Sequence, residues 1–155
     1  MYFHIIAIGD KTPPWVRDGV AEYQKRFPPP FRLTVQEVPA LKRTRNRSVE
    51  EIRVQESVRL WSAVPRGYRC VVLDIKGTPW NSEALAARLG QWRGNTGGVA
   101  LLIGGPDGVD KTLLQRADER WSLSPLTFPH ALVRLLVAEQ IYRAVTMICG
   151  HPYHR

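Results

Sequence analysis

The chain has 155 residues, 44% of them hydrophobic, and carries 22 Lys and Arg against 14 Asp and Glu for a formal charge of +8. That length and apolar content suit one domain over 1–155 with a core of its own, without a disulfide framework or a metal staple. The positive balance points to a polyanionic partner, nucleic acid foremost, and no stretch approaches the roughly 18 uninterrupted apolar residues of a membrane span.

Cys70 and Cys149 lack the spacing of a zinc knuckle or a redox motif, so two buried, reduced thiols are expected. The first ten residues read as a buried strand and show neither a basic leader nor a small-residue cleavage site, which predicts a cytoplasmic protein. Thr12 is positioned to cap a helix with Pro13 in its first turn, and Val16, Val20, Tyr23 and Phe27 follow at helical spacing. Pro28-Pro29-Pro30 ends it, and Phe31, Leu33 and Val35 alternate with polar residues as in a half-buried strand. Next, the segment from Lys42 to Arg47 places four cations, Lys42, Arg43, Arg45 and Arg47, in six positions. Its density suits contact with backbone phosphates.

Ser48-Val49-Glu50-Glu51 is a capping box, and Val54, Val58 and Trp61 predict the buried stripe of the helix it starts. Tyr68 to Ile75 reads as a buried strand. Lys76-Gly77-Thr78-Pro79 then turns into a helix beginning near Asn81 or Ser82, with Leu85, Leu89 and Trp92 on one face. Val99 to Ile103 forms a further strand that runs into Gly104-Gly105-Pro106-Asp107-Gly108. Asp110 caps a short helix through Leu113 and Leu114, a strand covers Trp121 to Ser124, and a last helix runs from about His130 to Ile148. Alternating strands and helices predict an α/β fold with a doubly wound, mainly parallel sheet.

A side-chain-poor loop at one strand end, 104–108, and a second such junction from Trp121 to His130 suggest one ligand crevice where backbone can approach the ligand. The first has neither the Gly-Lys-Ser/Thr of a P-loop nor the dinucleotide fingerprint, which argues against phosphoryl transfer. Ser122, His130 and Asp107 can be drawn as a triad, but no Gly-x-Ser-x-Gly elbow exists, so hydrolysis is disfavoured and His130 reads as a structural residue at a helix start. Glu139 and Arg143, four apart, form at least a helix-surface ion pair. The tail, Gly150-His151-Pro152-Tyr153-His154-Arg155, offers an aromatic ring and a guanidinium of the kind that stack on an unpaired base and grip its phosphate.

Taken together, Leu101-Leu102-Ile103-Gly104-Gly105-Pro106, Trp121-Ser122-Leu123-Ser124, Leu126-Thr127, Pro129-His130 and the tail from His151 to Arg155 resemble the ribosomal RNA large subunit methyltransferase H family of the SPOUT methyltransferases. Ala7-Ile8-Gly9, Tyr23 with Arg26-Phe27, and Leu73-Asp74 with Gly77 and Pro79-Trp80 extend the resemblance over nearly the whole chain. It implies a C-terminal trefoil knot and a homodimer with active sites at the subunit interface. The cofactor it implies is S-adenosyl-L-methionine, bound bent in the knot by Leu73, Gly104 and Leu123-Ser124-Pro125-Leu126-Thr127-Phe128, with no metal and no membrane. The implied reaction is methylation at N3 of a pseudouridine in helix 69 of 23S rRNA, on the assembled 70S ribosome. His154 and Arg143 are then the catalytic candidates, with His154 or water as the proton acceptor, and Tyr153 and Arg155 the substrate contacts. Pro125, Phe128 and Ala131 depart from the family pattern, changes that a backbone-mediated site tolerates. The alternative is a noncatalytic ribosome-binding or rRNA-binding protein using the same basic surface.

Overall fold

The computed structural model describes residues 1–94 and 96–154. Strands and helices alternate as β1 (Tyr2–Ile8), α1 (Pro14–Arg26), β2 (Arg32–Val38), α2 (Val49–Ser62), β3 (Tyr68–Pro79), α3 (Ser82–Trp92), β4 (Gly98–Ile103), α4 (Lys111–Arg116), β5 (Glu119–Ser122) and α5 (His130–Ile148), and a 3-10 turn, Pro152–His154, follows. The strands form one sheet in the order β2-β1-β4-β3-β5, every pairing parallel. Parallel neighbours need crossovers, and α1 to α4 supply them.

The period of two along the strands sorts the core into two layers. Phe3, Ile5 and Ala7 of β1, with Val71, Val99, Leu101 and Ile103, pack against Val16 and Val20 of α1, Leu85 and Leu89 of α3, and Val137 and Ile141 of α5. Ile6, Ile8, Cys70, Val72, Ala100 and Leu102 face the other way, onto Leu60 of α2 and Leu113 of α4. With helices on both faces, the doubly wound α/β expectation holds. Strand β4 is buried along its whole length, as a central strand covered on both sides must be.

Local chemistry sets most of the element starts. Ser48 accepts from the Glu51 N–H and Glu51 returns a bond to the Ser48 N–H, completing the predicted box. Asn81 and Asp110 cap α3 and α4 through Ala84 and Leu113. Thr12 does not cap α1. The helix begins at Pro14 without a side-chain cap, and the Thr12 hydroxyl is engaged by Glu37 and Arg134 instead.

Three other readings change. Val54 and Val58 lie exposed on α2, which buries Ile52, Glu56, Ser57 and Leu60. That face wins because its polar members are satisfied: Glu56 accepts from Leu41 N–H and Ser57 from Asp110 N–H. Strand β3 continues past the expected turn, shifting register between Leu73 and Thr78 and pairing again with β5 at Thr78 and Pro79. Gly77 makes the shift feasible, since a Cβ there would stand 2.8 Å from the Arg120 carbonyl. Finally, Cys149 is exposed rather than buried, whereas Cys70 is buried and its thiol is pushed up to about 12 by burial and by Asp118.

Candidate active site

The register break of β3 and the carboxyl ends of β4 and β5 open onto one cavity of about 600 Å³, within the range of small-molecule sites. Leu73 and Ile103 form its floor with Trp121, the loop 104–109 and the loop after β5 form its sides, and His130 and Val133 enter from the start of α5. Of the predicted cofactor residues, Leu73, Gly104, Leu123, Ser124, Leu126, Thr127 and Phe128 line it. Pro125 sits in the same loop but is not part of the wall.

Both loops are shaped by their own hydrogen bonds. Gly108, in the left-handed region at φ 76°, donates from its N–H to the Gly105 carbonyl at 3.0 Å and closes the 105–108 turn. The Ser124 hydroxyl accepts from Leu126 N–H at 3.0 Å, and the Ser122 hydroxyl donates to the Ser124 carbonyl at 3.3 Å. Ser122 is therefore a loop brace, and the carboxylate of Asp107 is held by Arg43, so the paper triad has no basis.

Gly104 is required by the loop itself. A Cβ there would meet Val109 Cγ1 at 2.9 Å and the Gly108 carbonyl at 3.0 Å. Gly104→Val is accordingly expected to cost about 1–3 kcal/mol of stability through overpacking and to displace the loop that walls the cavity. Thermal denaturation checks the first, and an unchanged melting temperature would show that the loop accommodates the side chain.

The walls suit a flat, partly apolar ligand. Leu73, Ile103, Leu123, Phe128 and Val133 offer apolar surface for a flat base, and two glycine- or serine-bearing loops bring main chain to the rim. Trp121, 2% exposed, also carries an indole N–H with no hydrogen-bond partner among the described residues. His130 has its proton affinity lowered by burial first and then by Arg134 and Arg43, partly offset by Glu56. The lowered proton affinity favours the neutral imidazole on the cavity wall.

The tail residues gather elsewhere. The Tyr153 ring lies edge-on to Tyr142 at 4.8 Å, and its hydroxyl is 3.0 Å from the Tyr23 hydroxyl and donates to Glu139 at 3.2 Å. Arg143 donates twice to the same Glu139 oxygen, at 3.0 and 2.6 Å, and stands over the Tyr153 ring at 5.1 Å. Burial, the Tyr23 hydroxyl and the Glu139 charge raise the Tyr153 pKa well above that of a free phenol, so it remains a neutral donor. Nδ1 of His154 is enclosed and has no partner among the described residues. Arg155 lies outside the described residues. None of Arg143, Tyr153 and His154 lines the cavity, so a single chain assembles the cavity and the tail cluster as separate units.

Two side chains that matter here were not singled out from the sequence. Arg134 of α5, 2% exposed, donates to the carbonyls of Ile8 and Gly9 at 2.7 Å each and to Glu37 at 3.0 Å, tying the start of α5 to the end of β1. A lone cation inside the apolar run from Leu132 to Val137 was its readable signal. Glu56, 1% exposed, is the other. It had no such signal, since a Glu in a helix ordinarily faces water.

The family described as "Predicted SPOUT methyltransferase" matches residues 1–154. Proteins called ribosomal RNA large subunit methyltransferase H are similar to the chain throughout its length. The one from Hydrogenovibrio crunogenus is 46% identical over 155 residues, covering 100% of this chain and 99% of its own. Those from Stutzerimonas stutzeri and Pseudomonas putida are each 45% identical, covering 100% of both chains.

Proposed function

The chain belongs to the SPOUT methyltransferases, and from that membership we propose that it is an S-adenosylmethionine-dependent enzyme that methylates 23S rRNA at N3 of a pseudouridine in helix 69, on the assembled 70S ribosome in the cytoplasm. The observation that carries the reading is the cavity at the β3 register break and the ends of β4 and β5, lined by the very loops expected to hold the cofactor. Full-length similarity to proteins named as large-subunit rRNA methyltransferases supports the substrate class.

When bound, the cofactor supplies a methyl group already activated as a sulfonium. The protein's part is alignment and removal of the weakly acidic N3 proton. The backbone of 104–108 and 123–128 orients the donor, Leu73 and Phe128 keep water from it, and the neutral His130 adds no competing positive charge. Arg143, Tyr153 and Arg155 are assigned to holding the nucleotide, with His154 as proton acceptor. Because the tail cluster lies away from the cavity of its own chain, these roles require a homodimer in which one protomer's tail meets its partner's cavity. A trefoil knot over the C-terminal part is included in the proposal, in keeping with β5 beside β3 and α5 packed back across α1 and α3. No helix among the described residues is long and apolar enough to cross a membrane, and no metal-holding cluster occurs among them.

The test is label transfer from tritiated S-adenosylmethionine to ribosomes isolated from cells lacking the protein, followed by mass mapping of 23S rRNA. Label at N3 of the helix 69 pseudouridine is the expected result. Label on another nucleotide would overturn the substrate assignment, and ribosome binding without any label would favour a noncatalytic rRNA-binding protein.

A further inference from the structure

The basic segment after β2 is not a set of equivalent free cations. Lys42, Arg45 and Arg47 are exposed, but Arg43 turns back onto the glycine-rich loop. Its Nε and Nη2 donate to Oδ2 of Asp107 at 3.1 and 2.7 Å, and its Nη1 lies 3.8 Å from the buried Glu56 carboxylate. Arg53 of α2 donates to the Asp107 carbonyl at 3.1 Å. The root of the segment is fixed as well, because Glu56 accepts the Leu41 N–H at 3.0 Å. Gly105 packs so closely on Glu56 that a Cβ would come within 2.8 Å of its other oxygen. The loop 104–108 thus faces the cofactor cavity on one side and grips the basic segment on the other.

We propose that Arg43 is a positioning residue that, through Asp107, couples occupation of the cofactor cavity to the grip of Lys42, Arg45 and Arg47 on RNA phosphates, so that the loaded protein binds its RNA more tightly than the empty one. The inference rests on the rRNA-methylation reading above. A ligand against 104–108 fixes Asp107, Asp107 fixes the planar guanidinium of Arg43 by its paired bonds, and the segment carrying the free cations is thereby ordered. RNA then meets cations whose ordering cost is already met. Linkage makes the effect reciprocal, so RNA tightens cofactor binding by the same factor. Engaged with Asp107, Arg43 itself is not a phosphate ligand, which separates its role from that of its neighbours.

Cosedimentation with vacant 70S ribosomes from cells lacking the protein, with and without saturating S-adenosylhomocysteine, reads the coupling. The wild type is expected to bind about fivefold or more tightly when loaded. In Arg43→Ala and in Asp107→Asn that ratio should fall to about one. Arg45→Ala should weaken both states alike and keep the ratio, as loss of a phosphate contact does. The exchange Arg43→Asp with Asp107→Arg should restore the ratio, which distinguishes a specific pair from general damage. A ratio near one in the wild type, or an unchanged ratio in a folded Arg43→Ala, overturns the coupling while leaving the methyltransferase reading intact. A wild type that binds ribosomes in neither state overturns the rRNA reading and the coupling with it.

Discussion

Removal of residues 153–155 is expected to lower methyl transfer to ribosomes by at least about 100-fold, the scale of a lost proton acceptor, while leaving S-adenosylmethionine affinity unchanged. The two effects separate because Tyr153 and His154 are absent from the cavity wall, whereas the proposed proton acceptor and substrate contacts lie in the deleted segment. Stability should fall too, by roughly 1–2 kcal/mol, for the lost edge-on ring contact with Tyr142 and the hydrogen bonds to Tyr23 and Glu139. Single-turnover label transfer, calorimetric titration and a melting curve on the same preparation give the three numbers. His154→Ala isolates the proton acceptor, since the Tyr153 contacts remain. Normal turnover in the truncated protein would remove the tail from the mechanism. The raised proton affinity of the Tyr153 phenol argues against it as the base, and comparison of His154→Ala with the wild type tests whether the His154 imidazole takes the proton or whether it passes to water.

How much of this was legible beforehand depended on whether a residue's role was local. The run from Val99 to Ile103, the capping box at Ser48 and the Asp110 cap are decided within a few residues, and each appears where the sequence places it. The two loops that wall the cavity were legible for a similar reason, since glycine and serine clusters after apolar runs mark crevices at strand ends. What failed was long-range. The phase of α2 was misread because Glu56 and Ser57 look like surface residues until Leu41 and Asp110, brought close by the fold, satisfy them. Thr12 has the right type and position for a cap, but Glu37 and Arg134 claim its hydroxyl. Likewise, Arg43 looked like one more phosphate ligand, and only the crossover that sets α2 beside the 104–108 loop reveals its bond to Asp107. The tail and the cavity were grouped by the resemblance to a family of dimers, while the geometry of one chain keeps them apart.

Arg134→Ala is expected to be the most damaging single substitution for stability, at about 3 kcal/mol or more. The guanidinium serves the Ile8 and Gly9 carbonyls and Glu37 at once, and truncation leaves two carbonyls without their charge-assisted donor and a carboxylate without its cation. For a domain of this size the loss corresponds to a drop in melting temperature of about 6–12 °C. Burial lowers the proton affinity of the Arg134 guanidinium and the Glu37 carboxylate raises it back in part, but an arginine stays charged, so the site always holds a cation that needs these partners. Arg134→Lys should recover little, because one ammonium cannot reproduce the planar fork. The double variant with Glu37→Ala should cost less than the sum of the singles, since it removes the stranded carboxylate. The damage should also reach the cofactor. Arg134 lies one helical turn beyond His130, which lines the cavity, so loosening α5 from β1 reaches the cavity wall at that point. Weaker S-adenosylmethionine binding in the folded fraction is therefore expected alongside the lowered melting temperature, and unchanged affinity would show that the wall keeps its shape without this anchor.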